Sequence, residues 1–411
     1  MRFNYTNCDL YEKGEITMEY IKLSEAADII TGFPFKSEKF NTSGEGLKLI
    51  RGKNIGKGFL HWGEAARFWN EEFEQIEKYS LQLNDIIIGM DGSNVGKNFA
   101  AVTKNDLPSL LVQRVARVRA KQGFDQNYLK YCILNNNFTN YVNDVKTGSA
   151  IPHISGTQIN NYLIPKYDYS VQQKIGKIID LISKKIELNI EINNNLYELA
   201  INYLNEKVEE TEVSVSKFAN IQGGYAFKSK DLIDTYTKNR IIKIKNLRSE
   251  INADVINSQF VENEVVEKLD NKFRLSKGDV AIAMTGAELG KTGFIYGNDN
   301  YYLNQRVGVI RGNNKASELY LNILFLSDEF QTLLNSKGYG SAQPNVSTSD
   351  IENILINDIT EDNLKELYEI IKPIYEKIIS NSEEILNLEQ LRDTLLPKLM
   401  NGEIDLENIE I

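Results

Sequence analysis

A long internal repeat dominates this sequence of 411 residues. Five blocks recur in the same order, four of them at a shift of 192 residues and one at a shift of 194. A repeat of this length predicts two copies of one domain. The paired blocks, with their first residues, are GFPFKS (Gly32) and GYAFKS (Gly224), IRGKNI (Ile50) and IKIKNL (Ile242), DIIIGMDGSNVGK (Asp85) and DVAIAMTGAELGK (Asp279), LVQRV (Leu111) and LNQRV (Leu303), and GSAIPHIS (Gly148) and GSAQPNVS (Gly340).

Each copy begins with short apolar runs separated by Gly- and Asn-containing turns, which predict strands. A long helical segment follows, at residues 170–208 in the first copy and from residue 363 to about 400 in the second. In both segments apolar residues alternate at spacings of three and four, the heptad pattern of a coiled coil. The predicted seam consists of Ile175, Ile179, Ile182, Ile186, Asn189, Leu196, Leu367, Ile371, Ile374, Ile378, Asn381, Ile385, Leu388 and Leu395.

The two helical segments are predicted to pair, because each carries one apolar seam that needs a partner. An antiparallel arrangement is expected, since the chain returns through the second copy before the last helix begins. Such a pair would hold the two globules at a fixed separation. The predicted fold class is therefore α+β, with two repeated mixed α/β domains separated by two long helices that pair as an antiparallel coiled coil.

Three residues interrupt the helical pattern. Asn189 and Asn381 occupy equivalent seam positions. They are either tolerated polar residues in an Asn-rich chain or buried residues that fix the register at some cost in stability. Pro373 lies inside the second helical segment and is expected to kink or restart the helix, because proline lacks an amide donor.

The composition excludes several classes of protein. A formal net charge of −10 excludes a free-standing DNA binder driven by electrostatics alone. With 2 Cys and 2 His, a disulfide framework and a histidine or thiolate metal site are excluded. The absence of a long apolar run, or of a signal-peptide pattern at the N-terminus, predicts a soluble cytoplasmic protein.

The negative charge is unevenly distributed along the chain. Residues 362–411 contain 5 basic and 12 acidic side chains. Residues 16–168 contain 18 basic and 16 acidic ones, and residues 211–361 contain 17 and 19. The two globules are thus close to neutral, so the net charge does not argue against a DNA reader that works within a complex.

Two glycine loops, GSNVGK from Gly92 and GAELGKT from Gly286, resemble a phosphate-binding loop. Each has three residues between its first Gly and the Gly-Lys pair, whereas the phosphate-binding pattern has four. A tight turn in which Gly supplies a positive φ is one reading, and exposed amides that meet a DNA phosphate are another. The nucleophile-elbow, zinc-protease and dinucleotide-binding motifs are absent from the sequence, which predicts a binding protein and not an enzyme.

Basic and polar residues recur at equivalent positions in the two copies, and such side chains reach base edges and phosphates in DNA complexes. A solvated surface charge is the alternative for each of them. The pairs Gln113–Arg114 and Gln305–Arg306 are predicted to lie inside apolar strands, where they need either DNA or a buried polar network as partner. The candidate DNA-binding residues are Lys36, Ser37, Arg51, Lys53, Asn54, Ser93, Asn94, Lys97, Arg114, Lys228, Ser229, Lys243, Lys245, Asn246, Lys291 and Arg306.

The two copies differ strongly between the shared blocks. Residues 38–48 bear no likeness to residues 230–240, and residues 56–82 bear none to residues 248–275. One scaffold with two unlike surfaces predicts recognition of two different targets in the same way.

Taken together, these features resemble the specificity (S) subunit of type I restriction–modification systems over roughly residues 18–406. The resemblance rests on the blocks GFPFKS, IRGKNI and DIIIGMDGSNVGK, on GSAIPHISGTQINNYLIP with the helical VQQKIGKIIDLISKKIELN, and on the C-terminal QLRDTLLPKLMNGEIDL. It implies a non-catalytic subunit that recognises an asymmetric bipartite target in double-stranded DNA. The implied segments are an N-terminal segment (1–17), target recognition domain 1 (18–168), a central conserved helix (169–210), target recognition domain 2 (211–361), and a C-terminal conserved helix and tail (362–411).

The resemblance also implies partners and cofactors. Two methyltransferase (M) subunits, which use S-adenosylmethionine to methylate adenine, would dock on the helices and on the loops Gly148–Ser155 and Gly340–Ser347, and ATP- and Mg-dependent restriction (R) subunits can join the assembly. This chain itself would hold no cofactor and no metal. The alternative is a coiled-coil scaffold or anti-restriction decoy that binds M subunits without reading DNA. An enzyme fused to its own reader is a third reading, which the missing motifs disfavour.

Overall fold

The computed structural model describes residues 18–72, 74–148, 151–247, 251–337, 345–404 and 406. The chain forms two compact units. The first contains the residues up to Ser183 and those from Gln390 onward, and the second contains Lys184–Glu389, so both long helices are divided between the units. The predicted N-terminal segment, residues 1–17, lies outside the described residues.

The first unit has the mixed composition that its sequence predicts. Its strands are β1 (Tyr20–Lys22), β2 (Ala27–Thr31), β3 (Leu47–Ile50), β4 (Lys57–Gly58), β5 (Phe68–Trp69), β6 (Ile86–Gly89), β7 (Phe99–Ala101), β8 (Ser109–Leu111), β9 (Val115–Ala120) and β10 (Leu163–Pro165). Its helices are α1 (Leu23–Ala26), α2 (Ile76–Tyr79), α3 (Gln126–Ile133), α4 (Asn136–Val145), α5 (Gly156–Asn160) and the first part of α6 (Tyr169–Lys207).

The largest sheet of the first unit has the strand order β2-β9-β6-β7-β4, and a smaller one has the order β5-β3-β8. Strand β1 pairs with β10 and so joins the start of the globule to its end. Because side chains alternate along a strand, Ile86 and Ile88 of β6 pack with Leu129 of α3 and Phe138 of α4, whereas Ile87 packs on the opposite face. This two-sided burial explains the continuous apolar run in the middle of the shared block.

The second unit repeats this plan. Its strands are β11 (Glu212–Ser214), β12 (Ala219–Gly223), β13 (Leu232–Ile233), β14 (Asn239–Ile242), β15 (Gln259–Val261), β16 (Arg274–Leu275), β17 (Val280–Ala283), β18 (Thr292–Phe294), β19 (Asn300–Leu303), β20 (Val307–Gly312) and β21 (Leu355–Asn357). Its helices are the remainder of α6, α7 (Asn263–Val266), α8 (Lys315–Phe325), α9 (Asp328–Lys337), α10 (Thr348–Glu352) and most of α11 (Glu361–Met400).

The sheets confirm the repeat. The order β12-β20-β17-β18 in the second unit corresponds to β2-β9-β6-β7 in the first. Strands β2 and β12 begin 192 residues apart, as do β3 and β14, and β9 and β20, while β6 and β17 are 194 residues apart. The segments that differ between the copies form β4 and β5 in the first unit and β13, β15 and β16 in the second.

The helices α6 and α11 run antiparallel where they pair within the second unit, as predicted. The Tyr203 hydroxyl donates to Glu366 Oε1 (2.8 Å), and further back along α6 the Asn189 amide donates to Glu384 Oε2 (2.9 Å), further forward along α11. All the predicted seam residues are buried or half-buried. Part of the seam packs against the globules as well, since Ile175 belongs to the core of the first unit and Leu367 to that of the second.

The predicted restart at Pro373 is wrong, because α11 is continuous from Glu361 to Met400. Pro373 is exposed, and so is Glu369, whose carbonyl would accept the amide that proline lacks. Both residues therefore lie on the exposed side of α11. No helix in the described part of the chain has the length and hydropathy needed to cross a membrane.

The seam asparagines are buried and paired, although not with each other. The Asn381 amide donates to Asn193 Oδ1 (2.9 Å), and the Asn193 amide donates to Ser382 Oγ (3.0 Å). Asn189, Asn193 and Asn381 are nearly inaccessible to solvent. These amides therefore form specific contacts between the helices. Such contacts are expected of residues that fix the register, and a polar residue that is merely tolerated would not need them.

Candidate DNA interface

The shared blocks meet at one end of the large sheet in the first unit. The Phe33 amide donates to Leu111 O (3.0 Å), which places GFPFKS beside the strand that precedes Gln113. The Met90 amide donates to Arg114 O (2.9 Å), and the Gly92 amide donates to Pro152 O (3.0 Å). We call this set of loops the rim of the first unit, and it comprises Gly32–Ser37, Arg51–Asn54, Asp91–Lys97, Gln113–Arg114 and Pro152–His153.

The second unit has an equivalent rim. The Tyr225 amide donates to Leu303 O (2.9 Å), and the Met284 amide donates to Arg306 O (3.1 Å). The Val346 amide donates to Met284 O (3.0 Å), which adds the last shared block. This rim comprises Gly224–Ser229, Lys243–Asn246, Thr285–Lys291, Gln305–Arg306 and Asn345. The shared blocks thus supply two matching rims.

Close backbone packing explains the first glycine of each rim. A β-carbon at Gly32 would lie 2.2 Å from Val112 O, and one at Gly224 would lie 2.1 Å from Asn304 O. Both distances are far below van der Waals contact, so only glycine fits. This packing holds the first loop of each rim against the turn that carries Gln and Arg.

The glycine loops after β6 and β17 are tight turns, as one reading predicted. Gly92 and Gly96 have φ of 95° and 85°, and Gly286 and Gly290 have φ of 80° and 82°. Glycine is the residue that adopts these values at no steric cost. These loops also expose candidate side chains, because Ser93, Asn94 and Lys97 are exposed, whereas Lys291 is half-buried and forms an ion pair with Glu288.

The structure corrects the interpretation of the Gln-Arg pairs. Gln113–Arg114 and Gln305–Arg306 form two-residue turns between strands, and all four residues are exposed, so neither pair lies inside a strand or in a buried network. The Arg114 side chain is 63% exposed, and its Nε lies 3.9 Å from Asp91 Oδ2. Arg114 also has a φ of 76°, a value that is uncommon for a residue with a side chain.

Two predicted DNA-binding residues have a structural role instead. Asn54 is fully buried, accepts from the Arg51 amide (3.2 Å) and donates to His61 O (3.0 Å). Asn246 is also buried, accepts from the Lys243 amide (3.0 Å) and donates to the Asp254 carbonyl. Side chains with both ends occupied inside the protein do not reach DNA. We therefore remove Asn54 and Asn246 from the candidate interface.

The remaining candidates differ in exposure. Arg51 is half-buried, donates to Ala65 O and lies over the Phe40 ring at 5.8 Å. Lys243 is half-buried and donates to Gln259 Oε1 (2.7 Å). The exposed candidates are Lys36, Ser37, Lys53, Ser93, Asn94, Lys97, Arg114, Lys228, Ser229, Lys245 and Arg306.

The second loop of each rim carries a half-buried cation with another cation nearby. Burial and the neighbouring Arg67 lower the pKa of the Arg51 guanidinium. Burial and Lys245 likewise lower the pKa of the Lys243 ammonium. In both units partial burial and a neighbouring cation make the charged form less stable than it is in water. A DNA phosphate at this place would stabilise both charges.

A repeated ion pair between a buried Asp and a half-buried Arg braces the sheet of each unit at the end away from the rim, and the sequence analysis did not predict it. Arg119 binds Asp85 through two hydrogen bonds of 2.7 and 2.6 Å, and Arg311 binds Asp279 at 2.8 Å. Each pair fixes the strand that ends in the glycine loop against the strand that follows the Gln-Arg turn. The signal was present, because both Asp residues open the shared block DIIIGM or DVAIAM.

The model of the type I restriction modification DNA specificity domain matches residues 15–198 and again residues 214–390. The chain belongs to the type I restriction–modification DNA specificity family. The double match agrees with the repeat, and the prediction of a specificity subunit is confirmed. Family membership also confirms that the chain is a non-catalytic subunit.

Curated relatives are specificity subunits of type I restriction enzymes. The EcoAI subunit of Escherichia coli is 33% identical over 169 residues, a match that covers 40% of this chain and 28% of that subunit. The MjaIX subunit of Methanocaldococcus jannaschii is 25% identical over 76% of each chain. The EcoBI subunit of E. coli is 20% identical over 98% of this chain and 91% of its own.

The crystal structure of the type I S subunit from M. genitalium shares the fold. It matches 95% of this chain and 98% of its own, with a TM-score of 0.57 and 15% sequence identity. The predicted fold class, two mixed α/β domains with two long paired helices, is confirmed.

Proposed function

We propose that each rim reads one half of a split DNA sequence, so that the chain specifies an asymmetric bipartite target. The observation that carries this proposal is the pair of matching rims, each built from the same backbone and carrying its own side chains. Different segments surround each rim, namely β4 and β5 in one unit and β13, β15 and β16 in the other. One docking mode with two unlike surfaces suits two unlike half-sites.

The division of labour within a rim follows from exposure and charge. Lys53 and Arg114 in the first unit, and Lys245 and Arg306 in the second, are exposed cations suited to phosphates or guanine edges. Gln113 and Gln305 are exposed, and the amide of a glutamine can form two hydrogen bonds to the edge of adenine. Gln113, Arg114, Gln305 and Arg306 stand on two-residue turns between strands of a sheet, so little backbone entropy is lost on binding.

The complex that uses this information would contain two M subunits with S-adenosylmethionine, and R subunits with ATP and Mg could join it. In that complex this chain would provide the DNA sequence specificity, and the cofactors would bind to the partner subunits. We place M docking on α6 and α11 and on the adjoining loops at residues 148–155 and 340–347. Of these loops, residues 149, 150 and 340–344 lie outside the described residues.

Methylome sequencing tests the proposal directly. Cells that co-express the chain with its M partner should carry methylated adenine at one motif with two separated, unlike halves. Replacement of residues 211–361 by another recognition domain should change only one half. A continuous motif, or a change in both halves, would refute independent reading by the two units.

Point variants separate a DNA reader from a scaffold that only binds M subunits. The double variant Lys53→Ala/Arg114→Ala should keep M binding but weaken DNA binding and lower the salt slope, by about 0.9 for each phosphate that is no longer neutralised. Lys104→Ala is the matched control, because Lys104 is exposed and follows β7 at the opposite end of the sheet. Unchanged DNA binding in the double variant, with M binding intact, would favour the scaffold.

A further inference from the structure

In the first unit, the loop that follows the rim segment Arg51–Asn54 exposes an aromatic ring. The hairpin Gly56–Phe59 is closed by the Gly56 amide, which donates to Phe59 O (2.9 Å), and its turn contains Gly58 at a φ of 95°. Phe59 is 56% exposed. A single exposed apolar residue needs no explanation by itself, so the surroundings of this ring decide its meaning.

The Phe59 ring is held in place. It packs edge-to-face on the His61 ring, with 4.7 Å between ring centroids and 82° between planes. A β-carbon at Gly56 would lie 2.9 Å from His61 Nε2 and 3.1 Å from Phe59 Cζ, so both rings rest on the bare glycine backbone. A ring fixed on one side and open on the other is pre-organised to insert into a partner.

The base of the hairpin is tied to the rim. The His61 amide donates to Asn54 O (2.8 Å), and the Asn54 side chain donates back to His61 O (3.0 Å). Asn54 closes the turn that begins at Arg51 and presents Lys53. The position of Phe59 is therefore set by the same buried residue that shapes the cationic loop of the rim.

The charge around Phe59 suits a polyanion. Residues 50–63 contain Arg51, Lys53 and Lys57 and no acidic residue, in a chain whose net charge is −10. Lys53 and Lys57 are both exposed. DNA-bending proteins likewise combine an apolar wedge, which enters between base pairs, with nearby cations that bind the flanking phosphates.

We propose that Phe59 inserts between two base pairs of the half-site read by the first unit, with the hairpin Gly56–Phe59 lying in the minor groove. This inference rests on the proposed function. Residues 248–275 of the second unit bear no likeness to residues 56–82, so the segment that carries Phe59 belongs to the first unit alone. The affinity for the first half-site should therefore depend on how easily its base pairs unstack. The affinity for the second half-site should not depend on unstacking by this wedge.

The test uses the complex reconstituted with its M partner and duplexes with 2-aminopurine at successive positions of the first half-site. With the native chain, fluorescence should rise at one base step on binding. Phe59→Ala should abolish that rise and weaken binding roughly tenfold or more, since loss of one aromatic–base stack has an effect of that size. Phe59→Trp should restore binding, and substitutions in the second half-site should not alter the effect.

Leu83→Ala is the matched control, because Leu83 is 47% exposed and lies before β6, at the opposite end of that strand from the rim. It should bind like the native chain. Insertion would be refuted if Phe59→Ala bound DNA with native affinity. It would also be refuted if no 2-aminopurine position became brighter when the native complex bound, even with weaker binding by Phe59→Ala. A native complex that methylates no bipartite motif would overturn the proposed function itself, so the two failures are distinguishable.

Discussion

The buried amide network between α6 and α11 can be tested by removing one of its members. Asn193 donates to Ser382 Oγ (3.0 Å) and accepts from the Asn381 amide (2.9 Å). Asn193→Ala removes both hydrogen bonds, each with a net contribution of about 1 kcal/mol, and leaves the buried Asn381 amide unpaired at a further cost of about 1–3 kcal/mol. The expected loss in the free energy of unfolding is therefore about 3–5 kcal/mol.

Thermal unfolding of the full-length chain, followed by circular dichroism, measures this loss. For a unit of this size, 1 kcal/mol lowers Tm by about 2–4 °C, so the transition that includes the second unit should move down by about 6–20 °C. The double variant Asn193→Leu/Asn381→Leu should lose far less, because it replaces both partners with apolar groups and leaves neither unpaired. A shift below about 1 °C in Asn193→Ala, or additive effects of Asn193→Ala and Asn381→Ala in a double-mutant cycle, would refute the pairing.

Two further predictions concern the second unit. Gly224→Ala should strongly destabilise the chain because its β-carbon would lie 2.1 Å from Asn304 O, whereas Gly223→Ala, which meets nothing closer than 3.5 Å, should stay within about 0.5 kcal/mol of the native chain in the same assay. Hydrogen bonds from the Ser347 amide and hydroxyl to Asp350 (both 2.7 Å) lower the pKa of Asp350 from 3.8, so their stabilisation is complete above that value and is lost as the pH falls through the lowered pKa. Asp350→Asn should thus lower Tm at neutral pH and converge with the native chain in acid, and a difference that is independent of pH would contradict this.

The order of elements could be read from the sequence because it depends on local patterns. The heptad spacing predicted α6 and α11, and the shared apolar blocks predicted β6 and β17. The positive φ at Gly92 and Gly286 followed from glycine in a turn. The predicted restart at Pro373 was wrong, because the tertiary packing of α11 decides whether the helix continues past a proline.

The candidate site was predictable in outline only. The repeat selected the correct loops, but it treated Asn54 and Lys53 alike, although one is buried and the other exposed. The Gln-Arg pairs were assigned to strands because apolar residues flank them, while the structure places them in turns. Residues that are adjacent in the sequence lie in the same loop, but their side chains can point in opposite directions. The backbone conformation of the folded loop decides which side chain is buried and which is exposed.

Local patterns along the chain predicted two copies, a long helix with one apolar face at the end of each, and shared blocks that differ from the segments between them. Which polar residues are available for binding depends on the folded structure. Asn381 meets Asn193 across 188 residues of chain, and Arg119 meets Asp85 across 34. A hydrogen bond satisfies a buried polar group wherever its partner lies along the chain, so its pairing depends on the packing of the whole unit and leaves no local pattern in the sequence.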